Sequence, residues 1–271
     1  MKHPQFDLEA GTVSLYVDPI YYDYEYKSRT EDVRWYVDRY LDADGPVLEL
    51  GVGTGRVALP AVKAGADVTG LDLAQKMLER LEARRMRLPK ARRPHLRAFR
   101  ADMRHFALDQ KYATISCPFN AFQHLYTRED AEQCLACVRD HLEPGGVFLL
   151  DVLMPDMEYL AEPAFKRKQG IRFKHPTHEA FYVYSEQAAF DATTGLHHMQ
   201  FLYDKSDERP EAAKAPPHFM LQLTHRYWFP TELVSMLHYN GFEILMHYGD
   251  FEGDDLTKDA ESQVLVCGLR G

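Results

Sequence analysis

No stretch of this sequence approaches the roughly 20 consecutive apolar residues that a membrane-spanning helix needs. The opening "MKHPQFDLEA" lacks the apolar centre of a secretion signal. A cytoplasmic protein without a membrane partner is therefore expected. Cysteine is scarce, at four in 271 residues, which suits reduced thiols better than a disulfide framework. Cys134 and Cys137 form a C-x-x-C, but in "REDAEQCLACVRDHL" Ala131, Cys134, Leu135, Val138 and Leu142 trace one helical face. Buried helix thiols are expected there, and no second cysteine pair stands at zinc-ribbon spacing. Positive charge is also in deficit: 32 Lys and Arg against 41 Asp and Glu give a net charge of −9. Nucleic acid is not expected as the main partner, because phosphate binding is driven by cations. One segment runs the other way. Between Arg80 and Arg104 ten Lys and Arg residues meet only Glu82 and Asp102. Such a run is a solvated helix end with its loop, or a patch for an anionic partner.

What the chain does have is a regular alternation. "GPVLEL", "DVTGLDL", "HLRAFRAD", "YATISCPF" and "VFLLDVLM" are short apolar runs of the kind that form buried strands. Between them, "VALPAVKAG", "AQKMLERLEARRM" and "EDAEQCLACVRDHL" carry helical periodicity. Strand and helix in turn, with short links, predict a doubly wound α/β sheet with right-handed crossovers through Met154. The pattern then changes. "AFYVYSEQAAF", "LHHMQFLYDK" and "HFMLQLTHRYWF" alternate in the manner of antiparallel strands with one wet face, and "DERPEAAKAPP" reads as a polar loop. A helix "TELVSMLHYNG" and the strands "FEILMHY" and "QVLVCGL" close the chain. The expected organisation is an aromatic lid segment over 1–45, a core over 46–160 and 226–271, and an antiparallel β insertion over 161–225 that serves as a substrate lid. Ahead of the core, "YYDYEYK" sets four tyrosines into residues 21–26.

"VLELGVGTGRV" carries the most chemistry. A strand delivers the chain to Gly51, Gly53 and Gly55, and a helix leaves at once. Glycines there admit positive φ and let a ligand approach the backbone, while the helix start offers unpaired N–H groups. The nicotinamide fingerprint G-x-G-x-x-G would need a third glycine at position 56, which is Arg56. A carboxylate at the strand end, Glu49, would also repel a pyrophosphate. A ligand carrying both an ammonium and a carboxylate suits the bend better. Asp72 closes the second strand 21 residues after Gly51, where an acid receives ribose hydroxyls or caps the next helix. Asp102 and Met103 end the third strand at the same sheet edge.

These residues resemble the class I S-adenosylmethionine-dependent methyltransferases. The resemblance rests on "ELGVGTGR", "GLDLAQKML", "RADMRHF", "CPFNAFQHL", "LEPGGVFLLDV" and the closing "RYWFPTELVSMLHYNGFEILMHYGDF…QVLVCGL". It covers Tyr21–Met154 and Arg226–Arg270, and is nearest to the small-molecule branch of glycine/sarcosine and aminosugar N-methyltransferases. It implies a seven-stranded, mostly parallel Rossmann-like sheet whose last strand is antiparallel. It also implies S-adenosyl-L-methionine as cofactor, with Glu49, Gly51, Gly53 and Gly55 at the methionine end. Asp72 and Leu73 would then lie at the ribose, Asp102 and Met103 at the adenine, and Pro118 and Phe119 along the fourth motif. Tyr22 with Asp23, followed by Tyr26 and Arg29, matches the aromatic segment that closes over the cofactor in that branch. Cys117-Pro118-Phe119-Asn120 departs from the Asn-Pro-Pro-aromatic tetrad of enzymes that methylate planar nitrogens, which speaks against a DNA-adenine or protein-glutamine target.

The expected activity is methyl transfer to nitrogen or oxygen of a small molecule. Methyl transfer asks the protein for collinear positioning and a dry site; a hydroxyl acceptor adds the need for a base. His124 is the candidate base or substrate anchor, with Tyr22 and Asn120 as further catalytic candidates and Gln123 nearby. His175, His178, His197, His198, His218 and His225 fall in the insertion without a spacing shared with a carboxylate or thiol, so no metal is expected. Two alternatives stand beside this: an RNA or protein methyltransferase recruited through Arg80–Arg104, and a non-catalytic cofactor-binding protein. Exposed strands of the insertion could pair in a homodimer.

Overall fold

The computed structural model describes residues 7–178, 180–206 and 218–271, which leaves the loop "DERPEAAKAPP" outside the described residues. Three short helices open the chain: α1 (Leu8–Val13), α2 (Pro19–Glu25) and α3 (Glu31–Leu41). The core follows as β1 (Val47–Leu50), α4 (Ala58–Ala64), β2 (Val68–Asp72), α5 (Gln75–Arg85), β3 (Leu96–Arg100), β4 (Tyr112–Cys117), α6 (Arg128–His141) and β5 (Leu142–Leu153). After α7 (Met157–Leu160) come β6 (Lys168–Lys174), β7 (Phe181–Asp191), β8 (Leu196–Lys205) and β9 (Phe219–Arg226). The chain ends with α8 (Pro230–Tyr239), β10 (Phe242–Tyr248) and β11 (Ser262–Leu269).

Seven strands make one sheet in the order β10-β11-β5-β4-β1-β2-β3. β11 runs antiparallel to both neighbours, and the pairs among β1–β5 are parallel. This is the sheet that the resemblance implies. The strands are apolar for a physical reason: helices cover both faces, and β1 is buried at every position. Leu135, Val138, Leu233, Leu237 and Trp228 fill one face, while Tyr36, Tyr40, Leu59, Val62 and Leu81 fill the other. Cys134, Leu135 and Val138 lie inward on α6, as their spacing predicts, behind a capping box in which Thr127 and Asp130 satisfy each other's amides. All four cysteines are free thiols.

A second sheet pairs β6-β7-β8-β9, antiparallel throughout. β6 has no clear signature in sequence; "KQGIRFK" lacks a sustained alternation. Wedged between the two sheets is α2, and it explains the density of tyrosines. Tyr21 and Tyr24 face the four-stranded sheet, where Tyr21 is buried against Tyr203 and His175. Tyr22 and Tyr26, one turn apart, face the core instead and touch each other edge to face at 4.8 Å. Asp23 points a third way. Its carboxylate accepts from Thr54 Oγ1 (2.6 Å), Arg80 Nε (2.9 Å) and Arg84 NH1 (2.9 Å), fastening α2 to the glycine bend and α5.

Candidate active site

At the carboxyl edge of β1 the backbone turns sharply. Gly51 holds φ +71° and Gly53 φ +54°, left-handed values that cost a residue with a Cβ. A Cβ on Gly51 would lie 2.9 Å from Ala121 Cβ. Gly55 serves a different purpose: a Cβ there would meet Leu81 Cδ1 at 2.4 Å, so this glycine lets α5 pack against the bend. Asp72, at the tip of β2, ties the loop down. Its Oδ2 accepts from Gly53 N and its Oδ1 from Ala74 N, both at 2.7 Å. It does not cap α5, whose N-cap is Ala74 with no side-chain cap bond. Burial raises its pKa, and the two amides oppose that shift.

The bend forms one wall of a cavity of about 130 Å³. Tyr22, Gly51, Gly53, Asp72, Leu73, Met103, Pro118, Phe119 and His124 all line it. Residues from four strand tips thus converge on one space, with Ala74, Met77, Ala101 and Ala121 completing its surface. Thr12, Val13 and Tyr16 line it as well. These three had no local signal in the sequence, because what brings them there is the packing of α1 on β9; a Cβ on Gly11 would sit 2.3 Å from Thr224 Oγ1. Tyr16 matters most. Its hydroxyl lies 2.7 Å from His124 Nε2, and the two rings meet edge-on at 5.7 Å. Burial pushes the His124 imidazole down to about 4, so the ring is neutral at physiological pH.

The structure places the remaining candidates elsewhere. Glu49 turns into the core, where Tyr40 donates to it at 3.1 Å; burial pushes its carboxyl up to about 8. Asp102 is clasped by Arg104 through Nε and NH2, and Arg104 also reaches Asp130. Tyr26 stands one layer behind the cavity, packed edge-on against Phe119 at 5.0 Å. Arg29 and Asn120 line a second, open cleft of about 910 Å³ on the other side of Phe119. Carboxylates dominate that cleft, among them Asp32, Asp151, Asp250, Glu252 and Asp254.

The basic segment is largely committed within the molecule. Arg80 and Arg84 pair with Asp23, Arg85 with Glu82, Arg97 with Asp67, and Arg104 with Asp102 and Asp130. In the insertion, folding brings His175 and His178 to Asp18, a carboxylate that is remote in sequence; one donor atom of each lies within 4.8 Å of the others. The two imidazoles stack at 4.1 Å with 14° between their planes.

Comparison with known proteins is consistent with this geometry. Residues 47–146 match the methyltransferase domain family. A dTDP-3-amino-3,4,6-trideoxy-alpha-D-glucopyranose N,N-dimethyltransferase of Streptomyces venezuelae is 29% identical over 127 residues, 47% of this chain and 50% of that one. The match thus spans about half the length of that curated relative. Among solved structures, the CcbJ methyltransferase of Streptomyces caelestis superposes with a TM-score of 0.75 at 23% identity, covering 90% of this chain and 97% of that one. The glycopeptide N-methyltransferase MtfA, solved with S-adenosyl-L-methionine, gives 0.59 at 23% identity over 89% and 93% of the two chains.

Proposed function

The chain carries a methyltransferase domain of the class I S-adenosylmethionine-dependent type, and on that premise we propose that it methylates the nitrogen of a small amine. The cofactor supplies a methyl group already activated by its sulfonium. The protein's share is to hold, orient and keep dry. The residues on hand suit such a ligand. The bend at Gly51 and Gly53 presents backbone without side chains, each Asp72 oxygen keeps a lone pair beyond the amide it already accepts, and Leu73, Met77 and Met103 give an apolar slot for a purine. Tyr22 offers an aromatic face and a hydroxyl to a sulfonium. The cavity's 130 Å³ is below the roughly 300 Å³ of the smallest ordinary ligand pockets. A ligand of that size therefore extends beyond this space or displaces part of its lining.

One observation favours nitrogen over oxygen. Among the described residues that line the cavity, the one imidazole is His124, depressed to about 4 and bonded to Tyr16. A base that weak removes a hydroxyl proton poorly near pH 7. An amine needs no base, only its neutral fraction. The carboxylates of the cleft beyond Phe119 add a second preference, for a neutral or cationic amine over a phosphate-bearing one. In this reading His124 and Tyr16 anchor the acceptor rather than take its proton.

The test incubates the protein with methyl-labelled S-adenosylmethionine and matched amine and hydroxyl acceptors, sugars and amino acids among them, with products read by mass spectrometry. N-methyl products are expected, with rates rising as the amine deprotonates. Methyl ethers in place of N-methyl products would refute the choice of nitrogen. The cofactor assignment is checked separately by calorimetry: Asp72→Ala should weaken binding, and unchanged affinity would remove Asp72 from the site. The pairing of the basic segment within the fold gives no support to the nucleic-acid-directed reading.

A further inference from the structure

Two consecutive residues with side chains, Phe119 and Asn120, sit in the left-handed region, at φ +56° and +61°. Each such residue is strained and persists only where its surroundings over-determine it. Here the surroundings are one carboxylate. Asp151, near the end of β5 and 2% exposed, accepts from Phe119 N at 2.7 Å through Oδ1 and from Asn120 N at 3.1 Å through Oδ2. Tyr36 of α3 donates to Oδ1 as well, at 2.7 Å, and fixes the carboxylate in place. The turn it holds decides where the Phe119 ring lies. That ring is the wall between the cavity and the acidic cleft; Tyr26 packs on its edge and the Arg56 guanidinium stacks over it at 4.0 Å.

We propose that Asp151 is a positioning residue for cofactor binding: its carboxylate locks the Phe119–Asn120 turn in the geometry that shapes the cavity, without touching the ligand. The inference rests on the assignment of S-adenosylmethionine to that cavity. An amide carbonyl cannot replace the carboxylate. Asn at 151 offers one acceptor oxygen, and its NH2 would confront one of the two backbone N–H groups. The anionic form is the one that accepts both. Burial pushes the Asp151 carboxyl up to about 6 against the hydrogen bonds from Tyr36 and the two amides. The other groups in its field are Asp32 and Tyr36 on α3, Arg56 after the glycine bend, and Cys117 on β4; on β11 it is Val264, an apolar residue, that pairs with it. Protonation below about 6 withdraws one acceptor and loosens the turn.

The sign of the stability effect separates this role from a merely structural one. An acid raised from 3.8 to about 6 is more costly to the fold when ionised, so its charge lowers folding stability as pH rises through that window. Binding, in contrast, gains from the charge. The experiment measures the affinity for S-adenosylmethionine by calorimetry and the melting temperature, in wild type and Asp151→Asn, from pH 5 to 8. Wild-type affinity should fall as pH drops through about 6. At pH 8 Asp151→Asn should bind roughly tenfold more weakly, the loss expected when a charge-assisted acceptor is exchanged for an unpaired amide. Its melting temperature at pH 8 should equal or exceed that of wild type. Equal affinity in the two proteins, or a variant that melts lower in step with its lost binding, overturns the proposal. Should Asp151→Asn not fold, the wild-type profile decides alone, and a flat affinity between pH 5 and 7 overturns it. A wild type that binds no S-adenosylmethionine at any pH refutes the cofactor assignment instead.

Discussion

Replacing Asp23 with alanine should release α2 while leaving the sheet intact. The carboxylate accepts three hydrogen bonds, from Thr54 Oγ1, Arg80 Nε and Arg84 NH1, at 2.6 to 2.9 Å. Its own side chain is 20% exposed, and those of Arg80 and Arg84 are 27% and 30% exposed. A hydrogen bond to a charged group at a protected site contributes about 1.5–3 kcal/mol, and a fully exposed ion pair about 0–1 kcal/mol. With this partial exposure, and with Arg80 free to turn into water while Arg84 keeps its bonds to Thr54 once Asp23 is gone, a net loss of about 2 kcal/mol is reasonable. A local opening made easier by about 2 kcal/mol is roughly 30 times more populated. Native-state hydrogen exchange reads that population directly. Amides 22–26, bonded within α2 as in Tyr22 N to Asp18 O and Tyr26 N to Tyr22 O, should exchange roughly 30-fold faster in Asp23→Ala. Amides of β1, β4 and β5 should not change. Unaltered exchange in α2 would mean that the aromatic contacts alone hold the helix, and uniform acceleration everywhere would mean that Asp23 supports the whole fold.

Two further expectations follow from the site and the second sheet. Gly51→Ala forces a Cβ into a φ +71° position 2.9 Å from Ala121 Cβ. It should weaken cofactor affinity about tenfold, because the bend relaxes in the free variant and must be forced back on binding against left-handed strain of about 1–2 kcal/mol; calorimetry giving an unchanged affinity would show that the variant keeps the bend in its free state. His197 is 2% exposed, and burial depresses it to about 4. Its neutral form therefore stabilises the fold fully above pH 6.5, and that contribution drains away as pH falls toward 4, by up to roughly 3 kcal/mol. His197→Phe, set among Tyr159, Phe190 and Tyr227, should lose less melting temperature than wild type between pH 7.5 and 5. An identical drop in both would acquit His197.

The seven-stranded sheet was legible because its strands are short apolar runs separated by periodic helices, a pattern that burial on both faces imposes residue by residue. The lining of the cavity was legible where a strand tip places it: Asp72 ends β2, Gly51, Gly53, Met103 and Pro118 follow strands closely, His124 stands one turn beyond β4, and the sheet aligns those tips. What escaped was set by distant partners. Glu49 reads as a strand-tip acid, yet Tyr40 draws it inward. The arginines between 80 and 104 look short of acids in sequence because Asp23, Asp67 and Asp130, which pair with four of them, lie outside that window. Tyr16 stands five residues before "YYDYEYK" and reaches His124, 108 positions later, only once α1 has docked on β9.

Because α2 packs Tyr21 and Tyr24 on the four-stranded sheet and turns Tyr22 to the cavity, the sheet and the core are not interchangeable parts. Grafting a foreign 165–226 segment onto this core would strand Tyr21 and Tyr24 beside unfamiliar side chains, and the mismatch would be transmitted along α2 to Tyr22 and the cavity it walls. A transplanted sheet would then leave the wall of the cavity undisturbed only when this helix travels with the strands it leans on.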